Sequence, residues 1–225
     1  MPWWRAAATN TLDDPRVASA LDRMFRQAEQ DEATSRRSRA AWPQGSAPLG
    51  PQEQADANAE VYMPISAQGG RLLYNLIRAT RPATVVEFGT SFGISTLHLA
   101  AAVRDNGTGR VISTELSAAK AAAARRTFAE TGLDDLITVL EGDARDTLAA
   151  VAGSADFVLL DGWKDLCLPV LRILEPRLAP GTLVVADDVD LEDLAPYLDY
   201  VRDPENGYQS VTFPVEDGME ISCRL

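Results

Sequence analysis

The chain has 225 residues, of which 46% are hydrophobic, with two cysteines and a formal net charge of -12. That length suits one domain with elaborations and a substantial core rather than two full domains. The acidic balance repels a phosphate backbone and so excludes nucleic acid as the expected partner. With no run of about 18 apolar residues to span a bilayer and no apolar signal core after Met1-Pro2-Trp3-Trp4-Arg5, the expectation is a cytoplasmic protein without a membrane partner.

From Pro15 to about Thr34 the apolar positions Val17, Leu21, Met24, Phe25 and Ala28 recur at three- and four-residue spacing, which predicts an amphipathic helix with Asp13 or Asp14 as its cap. The basic run Ser35-Arg36-Arg37-Ser38-Arg39 reads as a solvated helix end, with contact to an acidic ligand as the alternative. Between Trp42 and Pro51 three prolines and two glycines break regular structure and suit an exposed connection or a flexible lid. Residues 1–60 are therefore expected to form an N-terminal helical extension, a lid or a dimer arm, ahead of a domain over 61–225. Trp3, Trp4 and Trp42 could wall a planar substrate or pack that arm, and a homodimer is expected.

A helix is predicted from Ser66 to Thr80. Short aliphatic or β-branched runs then follow at Thr84 to Phe88, Arg110 to Glu115, Leu136 to Leu140, Asp156 to Asp161 and Thr182 to Asp187, each separated from the next by a helical segment. Five such units imply an α/β fold, a parallel sheet with helices on both faces. Tyr208 to Phe213 and Met219 to Leu225, joined by Pro214-Val215-Glu216-Asp217-Gly218, predict a closing hairpin.

Val85-Val86-Glu87-Phe88-Gly89-Thr90-Ser91-Phe92-Gly93 is a strand emptying into a glycine-bearing turn before a helix. Gly89 would let the backbone lie close against a ligand, and Gly93 would let the helix pack near the strand. The GxxxG form lacks the central glycine of a pyrophosphate-binding GxGxxG, which weakens an NAD-linked dehydrogenase reading. Glu115, closing the next strand, can accept hydrogen bonds from two ribose hydroxyls, or be a solvated strand-end acid. Glu141-Gly142-Asp143-Ala144-Arg145 makes a further turn at the same edge, able to touch an adenine through its backbone or to start a helix with Asp143 as N-cap.

Asp161 closes the fourth strand, and Asp187 and Asp188 close the fifth, so three carboxylates meet where such sheets bind ligands. Carboxylates that close require either a proton on one of them or a cation between them, and all-oxygen ligands favour magnesium, calcium or manganese over zinc. The alternative is that some of these acids merely cap turns or following helices. Lys164 lies one helical turn beyond Asp161. Beside such a cation its ammonium form would be disfavoured, so it could serve as a general base or orient a hydroxyl. Cys167 and Cys223 have neither the number nor the spacing of a disulfide scaffold or zinc site and are expected as buried free thiols. His98, the sole histidine, is expected to pack, since no second histidine or suitable cysteine completes a nucleophilic triad.

Glu87, Gly89, Gly93, Glu115 and the Gly142-Asp143-Ala144 turn resemble, in order and spacing, the class I S-adenosylmethionine-dependent methyltransferases. The resemblance covers roughly Ser66 to the end of the chain. It implies a Rossmann-like seven-stranded sheet in the order 3-2-1-4-5-7-6 with strand 7 antiparallel. It further implies that S-adenosylmethionine is held by Ser66, Glu87, Gly89, Thr90, Ser91, Gly93, Ser95, Glu115, Leu116, Gly142, Asp143, Ala144, Arg145, Asp161 and Trp163. The segment Asp161-Gly162-Trp163-Lys164-Asp165 is similar to the metal-dependent O-methyltransferases, most of all their catechol O-methyltransferase branch. That similarity implies Asp161, Asp187 and Asp188 as ligands of a divalent cation, Mg2+ or else Ca2+ or Mn2+. It implies Lys164 as the catalytic lysine, acting beside Asp161. Asp188 stands where the family has asparagine. The family's acid for a catechol's second hydroxyl has no counterpart near Thr212 or Phe213, so the substrate need not be a simple catechol.

The expected activity is methyl transfer from S-adenosylmethionine to a hydroxyl of a small, hydroxylated aromatic molecule. The alternatives are a metal-independent N- or O-methyltransferase and a non-enzymatic dimerising module with the same fold.

Overall fold

The computed structural model describes residues 10–40 and 50–225. Trp3, Trp4, Trp42 and most of the proline-rich connection lie outside the described residues, as do the side chains of residues 32–40 with their basic run.

Two helices, α1 (Pro15–Ala40) and α2 (Pro51–Ala57), precede α3 (Ala67–Thr80). Strand and helix then alternate through β1 (Thr84–Phe88), α4 (Ile94–Asn106), β2 (Arg110–Glu115), α5 (Ala118–Thr131), β3 (Ile137–Glu141), α6 (Ala144–Thr147), β4 (Phe157–Leu160), α7 (Cys167–Leu174), β5 (Leu183–Asp187) and α8 (Ala195–Arg202). The hairpin β6 (Tyr208–Phe213) and β7 (Met219–Arg224) closes the chain. All seven strands join one sheet in the order β3-β2-β1-β4-β5-β7-β6. Strand β7 is antiparallel to both neighbours, and the pairs from β3 to β5 are parallel. The expected architecture is the observed one.

Side chains along a strand point alternately to opposite faces, and the strands are apolar on both. Val85, Phe157, Leu159 and Val185 enter one core layer, together with residues of α1, α3, α4 and α5. Their neighbours Val86, Val158, Leu160, Val184 and Ala186 enter the other, against α7 and α8. Helix α4 is buried nearly all round, and α3 lies tightly on it: a Cβ on Gly70 would stand 2.6 Å from the His98 ring. His98 is thus a packing residue, its Nδ1 2.8 Å from the Ile94 carbonyl.

The first helix contributes Val17, Ala20, Leu21 and Met24 to that same core. At roughly 1.5–3 kcal/mol for each large apolar side chain buried, an upper estimate, three such residues are worth about 5 kcal/mol or more. Helix α1 is therefore bound to the sheet domain rather than tethered beside it. Asp105 adds a polar clasp, accepting from Thr11 Oγ1 at 2.6 Å and from Tyr74 Oη at 2.7 Å.

Several boundaries differ from expectation. Helix α1 continues past Thr34 to Ala40. The short α2 escapes the apolar-spacing criterion because it buries one residue, Ala55; Pro51 at its first position and Glu53, accepting from the Gly50 N–H at 2.9 Å, start it instead. Strand β4 is shorter by one residue at each end, because Asp156 turns its carboxylate onto the Thr84 N–H at 2.8 Å. Cys167 is buried, while Cys223 is only half-buried on β7.

Candidate active site

A cleft of about 1140 Å3 opens at the carboxyl ends of the parallel strands. It exceeds the ~300–1,000 Å3 usual for a single small-ligand pocket, so two molecules can lie in it side by side. One half is formed by the ends of β1, β2 and β3, the other by those of β4 and β5.

In the first half the chain leaves β1 through three residues with positive φ, Gly89 at 102°, Ser91 at 47° and Gly93 at 96°. Glycine is required at Gly89 because the turn runs against β4: a Cβ there would stand 2.6 Å from the Asp161 carbonyl oxygen. The protein neighbour it must clear is the backbone of the turn after β4, and Gly89 itself lines the cleft. Gly93 likewise makes room for the Phe128 ring of α5, at 2.5 Å from a notional Cβ, and not for the strand. Glu115 receives the backbone N–H groups of Ser91 at 2.7 Å and Ser117 at 2.8 Å. Those bonds hold its carboxylate at the cleft wall with lone pairs left for a diol. Asp143 caps α6 by accepting from the Arg145 N–H at 2.8 Å.

In the second half Asp161 follows β4, Asp187 ends β5, and Asp188 turns away with φ of 60°. Left-handed backbone is tolerated by Asp and Asn better than by other side chains, which gives a local reason for an Asp-Asp or Asp-Asn pair at this corner. One oxygen from each of the three acids lies within 4.8 Å of the other two. Lys164, at the start of a 3-10 turn, places Nζ 3.0 Å from Asp161 Oδ1 and 3.0 Å from Asp188 Oδ2. Burial opposes its charge, but the two carboxylates outweigh burial and raise its pKa above the ordinary lysine value. The two carboxylates thus favour its ammonium form. Asp187, 5% exposed, has no such partner, and burial followed by its two acidic neighbours pushes its pKa to about 8. Lys164 thus lies between two of the acids, while burial raises the pKa of Asp161 as well as that of Asp187. The donor set, three carboxylates and no sulfur or imidazole, suits a hard divalent cation.

Residues 86–189 match the family model described as a methyltransferase domain. Over 177 residues the chain is 30% identical to catechol O-methyltransferase B of Danio rerio, a match spanning 72% of this chain and 66% of that protein. It is 36% identical over 149 residues to a Mycobacterium tuberculosis protein named "Probable O-methyltransferase", spanning 61% of this chain and 63% of that one. The chain is thus similar to methyltransferases over the sheet's first five strands and, beyond that stretch, to proteins named O-methyltransferase and catechol O-methyltransferase. It spans just under two thirds of the length of these curated relatives. The methyltransferase fold is shared with the Bacillus cereus O-methyltransferase solved in complex with SAH, at a TM-score of 0.67 and 19% identity over 90% of this chain and 100% of that one.

Of the residues singled out from sequence, Ser66, Gly89, Thr90, Ser91, Ser95, Glu115 and Leu116 line the cleft on the first side, with Gly142, Asp143 and Ala144. Asp161, Trp163, Lys164, Asp187 and Asp188 line it on the other. Glu87, Gly93 and Arg145 do not line it. Glu87 is fully buried behind the glycine turn, where Oε2 accepts from Thr96 Oγ1 at 2.5 Å and from Ser113 Oγ, and Oε1 has no partner. Burial raises its pKa to about 7. Arg145 folds back on Asp143, with Nη2 at 2.6 Å from Oδ2.

Other lining residues went unnoticed in the sequence. Tyr62 and Phe92 stack at 4.0 Å between centroids over the first half. Met63 and Leu191, 41% and 50% exposed, are apolar side chains at the cleft where solvated ones would be ordinary. The hairpin loop brings Glu216 and Asp217 into the wall. Glu216, with φ of 53°, accepts the Ser66 N–H at 2.9 Å and lies near enough to Asp161 for their charges to repel. The acid sought near Thr212 or Phe213 is absent there, since Thr212 serves Glu220 and Phe213 is exposed. Glu216 and Asp217 were passed over in the sequence because acids are commonplace inside a turn.

Proposed function

We propose that the protein transfers the methyl group of S-adenosylmethionine to a hydroxyl of a small aromatic molecule, with the help of a divalent cation. The observation that carries this reading is the meeting, in one cleft, of the Gly89–Gly93 turn and Glu115 with three convergent carboxylates and Lys164. The relatives' printed names support the class of reaction.

Asp161, Asp187 and Asp188 are the residues that would hold the cation. When bound, such an ion lowers the pKa of a hydroxyl that it touches. Lys164 would orient the hydroxyl by donating to it from Nζ, and would accept the hydroxyl proton there only after giving up its own proton to solvent. Glu115 accepts the ribose hydroxyls and the glycine turn fixes the cofactor's other end. Trp163, Met63 and Leu191 flank a planar ring and keep water from it, and Glu216 and Asp217 are placed to accept from a second polar group of the substrate. Because a sulfonium and an oxyanion neutralise each other as the methyl passes, alignment in a dry pocket is the protein's main contribution.

Turnover of a hydroxylated-aromatic panel with labelled S-adenosylmethionine tests the reading. Chelation by EDTA, Asp161→Ala and Lys164→Ala should each lower it, the substitutions by roughly 10²–10⁴-fold. If all three leave turnover unchanged, the mechanism is wrong.

A metal-independent methyltransferase is the second reading. It is favoured by one observation, that Lys164 already neutralises two of the acids at 3.0 Å each. Calorimetry that detects cofactor binding and no magnesium or calcium site would select it.

A further inference from the structure

Lys120 is a buried cation for which the proposed reaction has no use. It is the third residue of α5, is 3% exposed, and lines the cleft beside Glu115. Its Nζ lies 3.3 Å from Ser91 Oγ and 5.5 Å from the centroid of the Phe92 ring. An ammonium has three N–H donors, and Ser91 Oγ satisfies one. Glu115 attracts it, yet the two form no ion pair, and both Glu115 oxygens are engaged by backbone N–H groups. Burial without a counter-ion disfavours the charge and lowers the pKa of Lys120 to about 8.

Packing alone gives no reason for an ammonium at this point. A methionine or leucine would fill the same volume and lie on Phe92 equally well, without the desolvation cost of a charge. Ser91 connects the two charged groups: its backbone N–H donates to Glu115 and its hydroxyl accepts from Lys120. An acceptor-only group and a donor-only group thus hang on the two sides of one residue, with cleft between them. A vicinal diol, each hydroxyl both donor and acceptor, complements that pair as no simple anion or cation does.

We infer that Lys120 and Glu115 together clamp the ribose diol of the nucleoside cofactor, the carboxylate accepting one hydrogen bond and the ammonium donating another. Lys120 is on this view a cofactor-binding residue that also discriminates ribose from deoxyribose. The inference rests on the proposed cofactor, and the experiment separates failure of one from failure of the other.

The test is calorimetry on the full chain with S-adenosylhomocysteine and its 2′,3′-dideoxy analogue, alongside thermal unfolding. Lys120→Met should weaken S-adenosylhomocysteine binding by about 10-fold or more, the scale of a hydrogen bond to a charged group. Lys120→Arg should retain most of the affinity, and the dideoxy analogue should bind wild type and Lys120→Met alike. Equal binding of S-adenosylhomocysteine by wild type and Lys120→Met overturns the clamp, as does an equal loss for both ligands, which marks a structural role. Should Lys120→Met fail to fold, Lys120→Gln carries the same comparison. No binding of S-adenosylhomocysteine to wild type overturns the cofactor reading itself.

Discussion

The two halves of the cleft solve their electrostatics in opposite ways. At the ends of β1 and β2 the acid Glu115 is held by two backbone N–H groups, one from the turn after each strand, so the site is preorganised by backbone. At the ends of β4 and β5 three acids from two strands crowd together, and although a lysine pairs with two of them, burial raises the pKa of both Asp161 and Asp187. The first half is satisfied as it stands, apart from buried Lys120 and, behind the glycine turn, Glu87. The second is stable only with a proton or a cation added, which is the expected state of a site that works by binding charge.

The comparison can be broken first at Glu87, the one acid of the first half that is not satisfied. Its pKa is raised from 4.5 to about 7, so between those values the folded protein holds a proton that the unfolded chain has lost. Unfolding free energy should therefore fall as pH rises through that window, by up to roughly 3 kcal/mol. Glu87→Gln should remove the fall, as read by urea unfolding at pH 5 and pH 8. Parallel pH curves for the two proteins would mean that Glu87 is not the strained group.

A smaller effect is expected at Glu115. Glu115→Ala leaves the Ser91 and Ser117 N–H groups without their acceptor and should cost about 1–3 kcal/mol of stability. Cofactor affinity should drop with it, while any thermal shift produced by magnesium stays unchanged. Loss of the magnesium response would show that the halves are not independent.

Smallest, and of opposite sign, is Asp187→Asn. Removing one of three crowded carboxylates should raise Tm by about 2–4 °C in the absence of divalent cation, the shift corresponding to about 1 kcal/mol in a chain of this size. The same substitution should shrink the stabilisation that magnesium gives. A fall in Tm would mean that the triad is not repulsive in the free protein.

The strands and the sides of the cleft were legible because they depend on patterns within short segments, whereas the order of the strands in the sheet came from the resemblance to a known family. Runs such as Val85-Val86 and Val184-Val185 are strands whichever neighbours they meet, and each acid at a strand end follows from where the run stops. Asp161, Lys164, Asp187 and Asp188 could be brought together on paper because adjacent parallel strands end at the same edge. Glu87 misled, since a motif acid beside a glycine turn is named by its position in the chain, whereas its burial is decided by Thr96 and Ser113 on other elements.

Local sequence thus determined the strands, their turns and the chemical types gathered at the sheet's edge, because short continuous apolar runs and turn residues act over a few positions. Only the tertiary structure decided that α1 belongs to the core, that Lys164 keeps its proton between two acids, and that Lys120, Glu216 and Asp217 face the cleft. Burial and charge pairing are set by atoms distant in the chain, and no local pattern records them.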